Sequence, residues 1–413
     1  MTEQMKRLPI CTAVAVFAVI STATCAPAPA HTAPRFQRGI NITRLFDAPI
    51  IRDGTYADPV FLPWTHELSQ NELTQLRDTG FNFIRLPVDP GPFITMDNAS
   101  RAKALSLLSD FLNAAMQSGF AVIVDLHPRL ATPWSPAAIL DAPDGPHFAQ
   151  YEQFAEQLAH YLQTKNTSQL ALELMNEPQS SCVRTNGADW TVFQSKLYAD
   201  IRATVRKLPL VVTGGCYSSV DGLSNLNLQA FPDRNLYVMV HFYDPFDFTH
   251  QGASWSPYTR YIAGLRYPVR QQDEASAEAA TQAWISHLGL IGAAYDTAVS
   301  QADGQLRSYF SIPYDRSIID HRFDIAARWA DSMRLPHSRI IVGEFGVMNE
   351  GGGLGSDGAD VAARADWLHD VSSSADAHGF GWAVWGYHGA FGIVSDDPAR
   401  TLDSSVTAAL FKH

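Results

Sequence analysis

The chain has 413 residues, of which 46% are hydrophobic and 17% charged, and its formal net charge is -12. This composition is that of an ordinary globular protein, and it excludes an intrinsically disordered chain. The acidic excess argues against a phosphate-backbone partner, because nucleic-acid-binding proteins concentrate lysine and arginine. We therefore expect no nucleic-acid partner, whereas a neutral substrate is compatible with the charge.

The N-terminal residues have the pattern of an export signal. Lys6 and Arg7 precede an apolar stretch at 8–19, and an A-P-A sequence at 28–30 offers a cleavage site. The apolar stretch is too short for a good membrane span, and a tethered or disordered N-terminus is the alternative. The pattern predicts a signal peptide at 1–30, a secreted or periplasmic mature protein, and no membrane association after cleavage.

Eight short apolar runs alternate with amphipathic stretches along the mature chain. Runs that are apolar almost throughout are typical of strands buried on both faces. Strand–helix alternation repeated eight times predicts an α/β fold, a (β/α)8 or TIM barrel, that fills 31–413 as a single domain. The competing doubly wound sheet usually has a glycine-rich phosphate turn after its first strand, and no such turn occurs in this sequence. The runs lie at 39–46, 81–88, 120–127, 170–178, 209–215, 236–245, 339–347 and 380–387.

The interval 246–320, after the sixth run, is too long for a simple connection. A structureless loop of this length is uncommon inside a compact domain. Part of the interval, 273–300, has a helical pattern. We therefore expect a long, partly helical insertion after the sixth strand.

The cysteines form one pair in the mature chain. Cys11 and Cys25 fall within the predicted signal peptide, which leaves Cys182 and Cys216. An even pair in an exported protein is a disulfide candidate, and the alternative is two buried free thiols. We expect the bridge, because these cysteines follow the fourth and fifth strands, which are neighbours in a barrel.

Most of the apolar runs end in polar or charged residues. In a barrel, the groups of a functional site lie at the carboxyl ends of the strands. Core packing alone would not place polar groups at the ends of so many apolar runs. The residues at these ends are Arg85, His127, Asn176, Glu177, His241, Tyr243 and Glu344.

Two of these residues, Glu177 and Glu344, are a carboxylate pair that the predicted barrel would place across one cleft. Hydrolysis of a glycosidic bond needs two carboxylates, one to protonate the leaving oxygen and one to attack the anomeric carbon or activate water. For a lone glutamate at a strand end, a salt-bridged or solvated role is the usual interpretation. The residues around this pair favour a catalytic role.

Those surroundings resemble glycoside hydrolase family 5. MNEP at 175–178 is similar to the acid/base signature of the family, and GEFG at 343–346 is similar to its nucleophile signature. The motifs FIRLPV, DLHP, HFYDPFDFTHQGA and WAVWGY follow in the family's order, and the resemblance covers about 39–391. It implies a retaining β-glycosidase on a barrel, with Glu177 as the general acid/base and Glu344 as the nucleophile.

The resemblance also implies a set of substrate-binding residues. Arg85 and Tyr243 would hold the Glu344 carboxylate, and Asn176 would donate to a sugar hydroxyl. The remaining members contact sugar hydroxyls or pack on a pyranose ring, and they are His127, His241 and Trp385. Each has a structural alternative; Arg85, for example, could be a buried partner of Glu173.

Two further residues are interpreted as structural. Asp125 is a candidate hydrogen-bond partner inside the barrel, and Trp382 is a core candidate. Trp64, Trp134 and Trp255 lie in loops that could line a glycan cleft, and a packing role is as plausible for each. No HExxH motif or Cys/His cluster occurs, so we expect no metal and no cofactor.

The leading hypothesis is an endo-β-1,4-glucanase that acts as a monomer on a polysaccharide or oligosaccharide. A β-mannanase or another β-glycan hydrolase is the alternative within the same chemistry. A non-catalytic glycan-binding barrel is a different class, and the presence of both glutamates argues against it. The sequence leaves the preferred glycan, and endo or exo action, open.

Overall fold

Eight parallel strands close into a barrel in the computed structural model of the chain. The structure describes residues 36–53, 55–130, 132–179, 189–349, 358–395 and 399–411. All of them belong to one unit, Ala33–His413. Within these described ranges, no helix is both long and apolar enough to span a bilayer.

The barrel strands follow the sequence around the ring, in the order β1-β10-β9-β8-β7-β6-β5-β4. A short antiparallel hairpin, β2–β3, stands apart in the connection after β1. The strands are β1 (Arg38–Asn41), β2 (Ile51–Arg52), β3 (Thr55–Tyr56), β4 (Phe83–Val88), β5 (Ala121–Leu126), β6 (Leu170–Glu173), β7 (Leu210–Thr213), β8 (Leu236–His241), β9 (Ile340–Phe345) and β10 (Gly381–Val384).

The helices lie between successive strands and cover the barrel. They are α1 (Gln70–Thr79), α2 (Pro90–Thr95), α3 (Asn98–Gln117), α4 (Pro136–Ile139), α5 (Pro146–Gln163), α6 (Trp190–Thr204), α7 (Phe246–Thr249), α8 (Glu274–His287), α9 (Ala293–Phe310), α10 (Arg316–Met333), α11 (Val361–His378) and α12 (Ser404–Phe411).

Aspartate side chains cap several of the longer helices. In each case a carboxylate oxygen accepts a hydrogen bond from a free N–H of the first turn, where the helix dipole also favours negative charge. These caps explain where the helices begin after the polar connections. They are Asp97 on α3, Asp189 on α6, Asp273 on α8, Asp315 on α10 and Asp360 on α11.

The inside of the barrel has an apolar layer and, towards the carboxyl ends of the strands, a polar layer. The apolar layer includes Phe83, Tyr237 and Met239. At Gly343 the absence of a side chain makes room for this layer, because a Cβ there would overlap Sδ of Met239. The polar layer begins where Asn41 pairs in register with Arg85. The apolar layer thus closes the floor under the polar residues.

The predicted (β/α)8 barrel is confirmed, and each of the eight apolar runs overlaps a barrel strand. The insertion after the sixth barrel strand, β8, is partly helical as expected, with α7, α8 and α9 between β8 and α10. One unit departs from the ideal alternation. In 214–235, which the structure describes in full, two 3-10 turns take the place of an α-helix.

One strand ends earlier than the sequence pattern predicts. The fourth run was expected to end at Glu177, but β6 ends at Glu173. Glu177 has a φ of 42°, in the left-handed region, so the chain has left the extended conformation there. Glu177 and Glu173 therefore do not lie on the same face of one strand.

Candidate active site at the carboxyl ends of the strands

Arg85 lies at the centre of the polar layer and is fully buried. Its Nε and Nη2 donate to the two carboxylate oxygens of Glu173 at 2.8 and 2.9 Å, and Nη2 lies 2.9 Å from Oδ2 of Asp125. Burial alone would lower the pKa of Arg85, but Asp125, Glu173 and Glu344 together raise it well above its usual value. The proposed pairing of Arg85 with Glu173 is therefore present, and it coexists with contacts to the candidate site.

The same guanidinium also reaches the candidate nucleophile. Nη1 of Arg85 donates to Oε1 of Glu344 at 2.6 Å and to Oδ1 of Asn41 at 3.0 Å. The amide of Asn41 in turn donates to the main-chain oxygens of Gly343, Ala383 and Val384. Sequence reasoning missed Asn41, although a polar residue inside an otherwise apolar strand run is a signal for such a contact.

The orientation of Asn176 follows from the donors around it. Arg85 can only donate, so the atom of Asn176 that lies 2.9 Å from Nη2 must be the acceptor Oδ1. The Nδ2 group then faces Nε2 of His127 at 3.2 Å, and this nitrogen must be an acceptor. His127 consequently carries its proton on Nδ1, which lies 2.7 Å from Oδ2 of Asp125.

The neutral state of His127 agrees with this arrangement. Burial lowers the pKa of His127, even though Glu344 nearby acts in the opposite direction. Asp125, His127 and Asn176 thus form one chain in which each group fixes the hydrogen-bond role of the next.

Glu344 is held at both carboxylate oxygens. Oε1 accepts from Arg85, while Oε2 lies 3.1 Å from the hydroxyl of Tyr243 and 3.5 Å from Nδ1 of His241. The side chain is only 6% exposed. A carboxylate with donors on both oxygens and little contact with solvent has one orientation available to it.

Glu177 faces the cleft more openly, with 33% of its side chain exposed. Its Oε1 lies 2.8 Å from Nδ1 of His241. Although the side chain is partly exposed, desolvation by the surrounding wall raises the pKa of Glu177, against the opposing influence of the neighbouring Arg85 guanidinium. A raised pKa keeps a proton on the carboxyl group to a higher pH, which suits an acid.

His241 connects the two carboxylates. Burial lowers its pKa to about 4, so the imidazole is neutral at neutral pH. A neutral imidazole can donate or accept at Nδ1, depending on its tautomer. His241 can therefore form a hydrogen bond with Glu177 whether the Glu177 carboxyl group is protonated or ionised.

The distance between the two carboxylates is short. One oxygen of Glu177, one oxygen of Glu344 and a ring nitrogen of His241 all lie within 4.8 Å of one another. A metal ion could also bridge three such atoms. However, Arg85 occupies the other side of Glu344, and its positive charge opposes a second cation there.

Trp385 forms the side of the site next to His127. Its ring lies parallel to the His127 imidazole, with centroids 5.7 Å apart and an interplanar angle of 14°. It is half-buried, so part of its surface faces the cleft. Trp382 is fully buried in the core, as the sequence suggested.

The three loop tryptophans have different surroundings. Trp64 packs edge-on against Phe111, which is a packing role. Trp134 is 7% exposed and lines a cavity at the rim of the barrel. Trp255 is 54% exposed, and its ring lies 6.5 Å from that of Phe391, which contacts Tyr243.

The structure thus brings all of the predicted site residues into one region. Seven of them are joined by hydrogen bonds, ion pairs or ring contacts around Arg85 and the carboxylate pair, and Trp385 stacks beside them. The structure does not test the predicted Cys182–Cys216 bridge, because Cys182 lies outside the described residues. The predicted signal peptide lies outside them as well.

A closed barrel with two carboxylates this close across its mouth has the layout of a retaining glycosidase. Comparison with known protein families identifies the family of glycosidases. The chain belongs to the family described as Cellulase (glycosyl hydrolase family 5), which matches residues 53–390. The resemblance that the motifs indicated is therefore confirmed.

Curated relatives agree with this family at low identity. Endoglucanase 3 of Fibrobacter succinogenes is 24% identical over 343 residues, which are 80% of this chain and 47% of that protein. Endoglucanase H of Acetivibrio thermocellus is 22% identical over 356 residues, 84% of this chain and 31% of that protein. The chain thus spans about half or less of the length of these relatives.

Solved structures share the fold. Cel5A of Thermotoga maritima in complex with cellobiose has a TM-score of 0.65 at 19% identity, over 91% of this chain and 98% of that one. A structure of the same protein in complex with mannotriose gives the same values. At this identity the similarity supports the barrel and carries no information on substrate.

Proposed function

We propose that the chain is a retaining β-glycosidase that hydrolyses a β-glycan through Glu177 and Glu344. The observation that carries the proposal is the distance of at most 4.8 Å between a carboxylate oxygen of each residue. Retaining enzymes keep their carboxyl groups about 5–5.5 Å apart, whereas inverting enzymes need about 6.5–9.5 Å to admit water between them. The spacing in this chain agrees with the retaining class.

In the first step, Glu344 attacks the anomeric carbon while Glu177 donates its proton to the glycosidic oxygen. The bond between carbon and oxygen breaks, the alcohol leaves, and a covalent glycosyl ester forms on Glu344. Because its pKa is raised, Glu177 still carries the proton that this step needs. The hydrogen bonds from Arg85 and Tyr243 hold the Glu344 carboxylate in place for the attack.

In the second step, Glu177 is ionised and acts as a base. It removes a proton from water, the water oxygen attacks the anomeric carbon, and Glu344 leaves as the free carboxylate. His241 keeps its hydrogen bond to Glu177 through this change, because a neutral imidazole can take either role. Two inversions at one carbon give net retention. No step requires a metal or an organic cofactor.

For the substrate, we propose a β-1,4-glucan cleaved at internal bonds. The names of the two curated relatives support this choice. On the side of Tyr243, the exposed rings of Trp255 and Phe246 extend the wall of the site, and an exposed aromatic face packs well on a pyranose. A β-mannan is the second candidate, because a protein with this fold has been solved with both cellobiose and mannotriose.

The stereochemical test separates this proposal from an inverting hydrolase. NMR of the first product formed from a β-linked substrate should show the β-anomer, and initial release of the α-anomer would contradict it. A parallel assay on cellulose derivatives, lichenan and mannan, with and without chelator, identifies the glycan. Loss of activity with chelator would contradict the metal-free mechanism, and no activity on any glycan would favour a binding protein.

We also propose that residues 1–30 are removed on export and that the mature protein, 31–413, is a secreted or periplasmic monomer. The basic and apolar pattern of the N-terminus supports this. The same compartment would allow a bridge between Cys182 and Cys216. Thiol titration of the denatured, unreduced protein tests the bridge, and two free thiols per chain would rule it out.

A further inference from the structure

Three consecutive residues in the loop after β7 have a backbone conformation that L-amino acids avoid. Cys216, Tyr217 and Ser218 have φ values of 59°, 55° and 57°, in the left-handed region. Contact between Cβ and the main chain disfavours this region for residues other than glycine, and single residues occupy it far more often than runs do. Such conformations persist where the surrounding structure enforces them, and they concentrate at functional sites. Residues 216–218 are called the left-handed turn below.

The base of the left-handed turn is closely packed. A Cβ at Gly214 would lie 2.3 Å from the main-chain carbon of Gly222, and one at Gly222 would lie 2.1 Å from the main-chain oxygen of Gly215. The two arms of the loop therefore approach each other backbone to backbone, which only glycine allows. The N–H of Ser219 also donates to the carbonyl oxygen of Cys216 at 3.0 Å. These contacts hold the two ends of the turn together.

The left-handed turn is hydrogen-bonded to the chain next to Glu177 and to its partner His241. The N–H of Tyr217 donates to the carbonyl oxygen of Pro178, the residue after Glu177, at 3.3 Å. The carbonyl oxygen of Ser218 accepts from the N–H of His241 at 2.8 Å, and Nδ1 of His241 lies 2.8 Å from Oε1 of Glu177. The turn thus joins the main chain beside Glu177 to the main chain of the residue that contacts the Glu177 carboxyl group.

Glu177 depends on such a connection because it lies outside the strands. β6 ends at Glu173, and Glu177 itself has a φ of 42°. Glu344, in contrast, lies within β9, where its pairing with His241 of β8 fixes the backbone. Nine residues other than glycine have a positive φ in the described parts of the chain, and four of them are Glu177 and the three residues of the turn. Nearly half of these strained conformations therefore occur around the acid.

We propose that the left-handed turn positions Glu177 for proton transfer, and that Tyr217 contributes through its backbone conformation rather than its side chain. The inference rests on the acid role proposed for Glu177. Rotation about the N–Cα bond of Tyr217 changes the direction of its N–H relative to the carbonyl group of Ser218. If φ leaves the left-handed region, the hydrogen bonds to Pro178 and His241 cannot both be kept. The Glu177 carboxyl group then shifts relative to His241 and to the bond that is cut.

The test compares two variants that differ in backbone preference at one position. Tyr217→Val and Tyr217→Asn both remove the ring, which is 54% exposed, but asparagine tolerates a positive φ whereas β-branched valine does not. Each variant is assayed on a neutral β-glucan, whose leaving oxygen must be protonated. Each is also assayed on an aryl glycoside with a very good leaving group, which needs little protonation. For the aryl glycoside, the release of phenol in the first turnover is measured.

Arg334 provides the matched control for backbone strain alone. It is the left-handed C-cap of α10, with a φ of 53°, and it precedes β9 at the end of the barrel opposite to the site. Arg334→Val and Arg334→Asn therefore impose the same difference in backbone preference away from Glu177. Urea denaturation of all four variants measures how much stability each one loses.

We expect Tyr217→Val to cleave the glucan about 10–100-fold more slowly than Tyr217→Asn, because a displacement of about 1 Å can cost about 10²-fold in rate. The first-turnover release from the aryl glycoside should be the same for both. The two Arg334 variants should differ in stability and on neither substrate. If Tyr217→Val does not fold, Tyr217→Ala against Tyr217→Gly repeats the comparison with a smaller penalty.

Two results would overturn the inference while the proposed function stands. One is an equal rate of glucan cleavage by Tyr217→Val and Tyr217→Asn. The other is an equal loss on glucan and aryl glycoside, which would show that the turn supports the fold and not the acid. Failure of the unmutated protein to cleave any glycan would contradict the proposed function, and the inference with it.

Discussion

The two proposed catalytic carboxylates are held in opposite ways. Glu344 lies within β9, is 6% exposed, and has donors on both oxygens. Glu177 lies beyond the end of β6, is 33% exposed, and its carboxylate contacts His241 at one oxygen. The two residues differ in exposure and in hydrogen-bond partners, although they are the same amino acid a few ångströms apart.

This difference matches the two roles. A nucleophile must meet one carbon atom from one direction, so a fixed carboxylate on a strand favours the reaction. A general acid must lose a proton to the leaving oxygen and take one from water, so it needs access to solvent. The electrostatics follow the same division, because Arg85 bonds directly to Glu344 while burial raises the pKa of Glu177.

The largest effect is expected at Glu344. Glu344→Ala removes the covalent step, and the rate should fall by more than about 10⁴-fold, beyond what acid–base catalysis alone contributes. Azide could then attack from the vacated face and give a glycosyl azide of inverted configuration. The product is identified by NMR. A retained azide product from this variant would reverse the assignment of the two roles.

Glu177→Gln should cost about 10²–10⁴-fold on a polysaccharide, the usual contribution of a general acid. Aryl glycosides with very good leaving groups need little protonation, so their cleavage to the glycosyl ester should lose much less. Pre-steady-state bursts of the released phenol measure this step. An equal loss on both substrates would contradict the acid role.

The pH dependence of kcat/KM tests the acid role of Glu177. The acid must be protonated, and its pKa is raised, so kcat/KM should fall as the pH rises through the pKa of Glu177. Glu177→Gln should lack this basic limb when it is measured with an aryl glycoside. Persistence of the limb in that variant would assign it to another group.

Asp125→Asn is expected to act on the site through His127. The amide can present an N–H to Nδ1 of His127, which shifts the imidazole tautomer and disturbs Asn176. Losing this alignment is expected to lower kcat/KM by about 10–100-fold, the equivalent of 1–3 kcal/mol for one buried polar mismatch. Asp370→Asn, on α11 and bonded to Tyr267, is a control away from the site. A conserved rate in Asp125→Asn would show that the chain of hydrogen bonds is not needed.

Asn41→Ala should have the smallest catalytic effect. The change leaves three main-chain oxygens of β9 and β10 without the amide donor, and it removes one acceptor from Arg85. We expect the free energy of unfolding to fall by about 1–3 kcal/mol, the cost of unsatisfied buried groups. Urea denaturation measures it, and a change in kcat far larger than the change in stability would place Asn41 in the chemistry.

Sequence reasoning reached most of the fold because the strands are buried on both faces. A run such as AVIVDL in β5 is apolar almost throughout, and a polar residue at its end has few explanations. Boundaries were less certain. LALELMNEP continues the apolar pattern past Glu173, and only the left-handed backbone at Glu177 shows that the strand has ended.

The parts that the sequence could not predict depend on distant contacts. The hydrogen-bond roles of Asn176 and His127 follow from the position of Arg85, on another strand. The missing helix at 214–235 has no clear sequence signal, because two 3-10 turns and an amphipathic helix differ little in composition.

The balance of charge in the mouth has a consequence for the choice of assay. The net charge of the protein is -12, and the positive charge of Arg85 in the site is already engaged by Glu173 and Glu344. An anionic polymer is repelled by a protein of this net charge, and salt weakens the repulsion over a Debye length of about 10 Å at 0.1 M. Carboxymethylcellulose should therefore be cleaved faster as ionic strength rises, whereas a neutral glucan should be indifferent to salt. For the same reason, we expect polymers of uronic acids to be poorer substrates than neutral glycans with the same linkage.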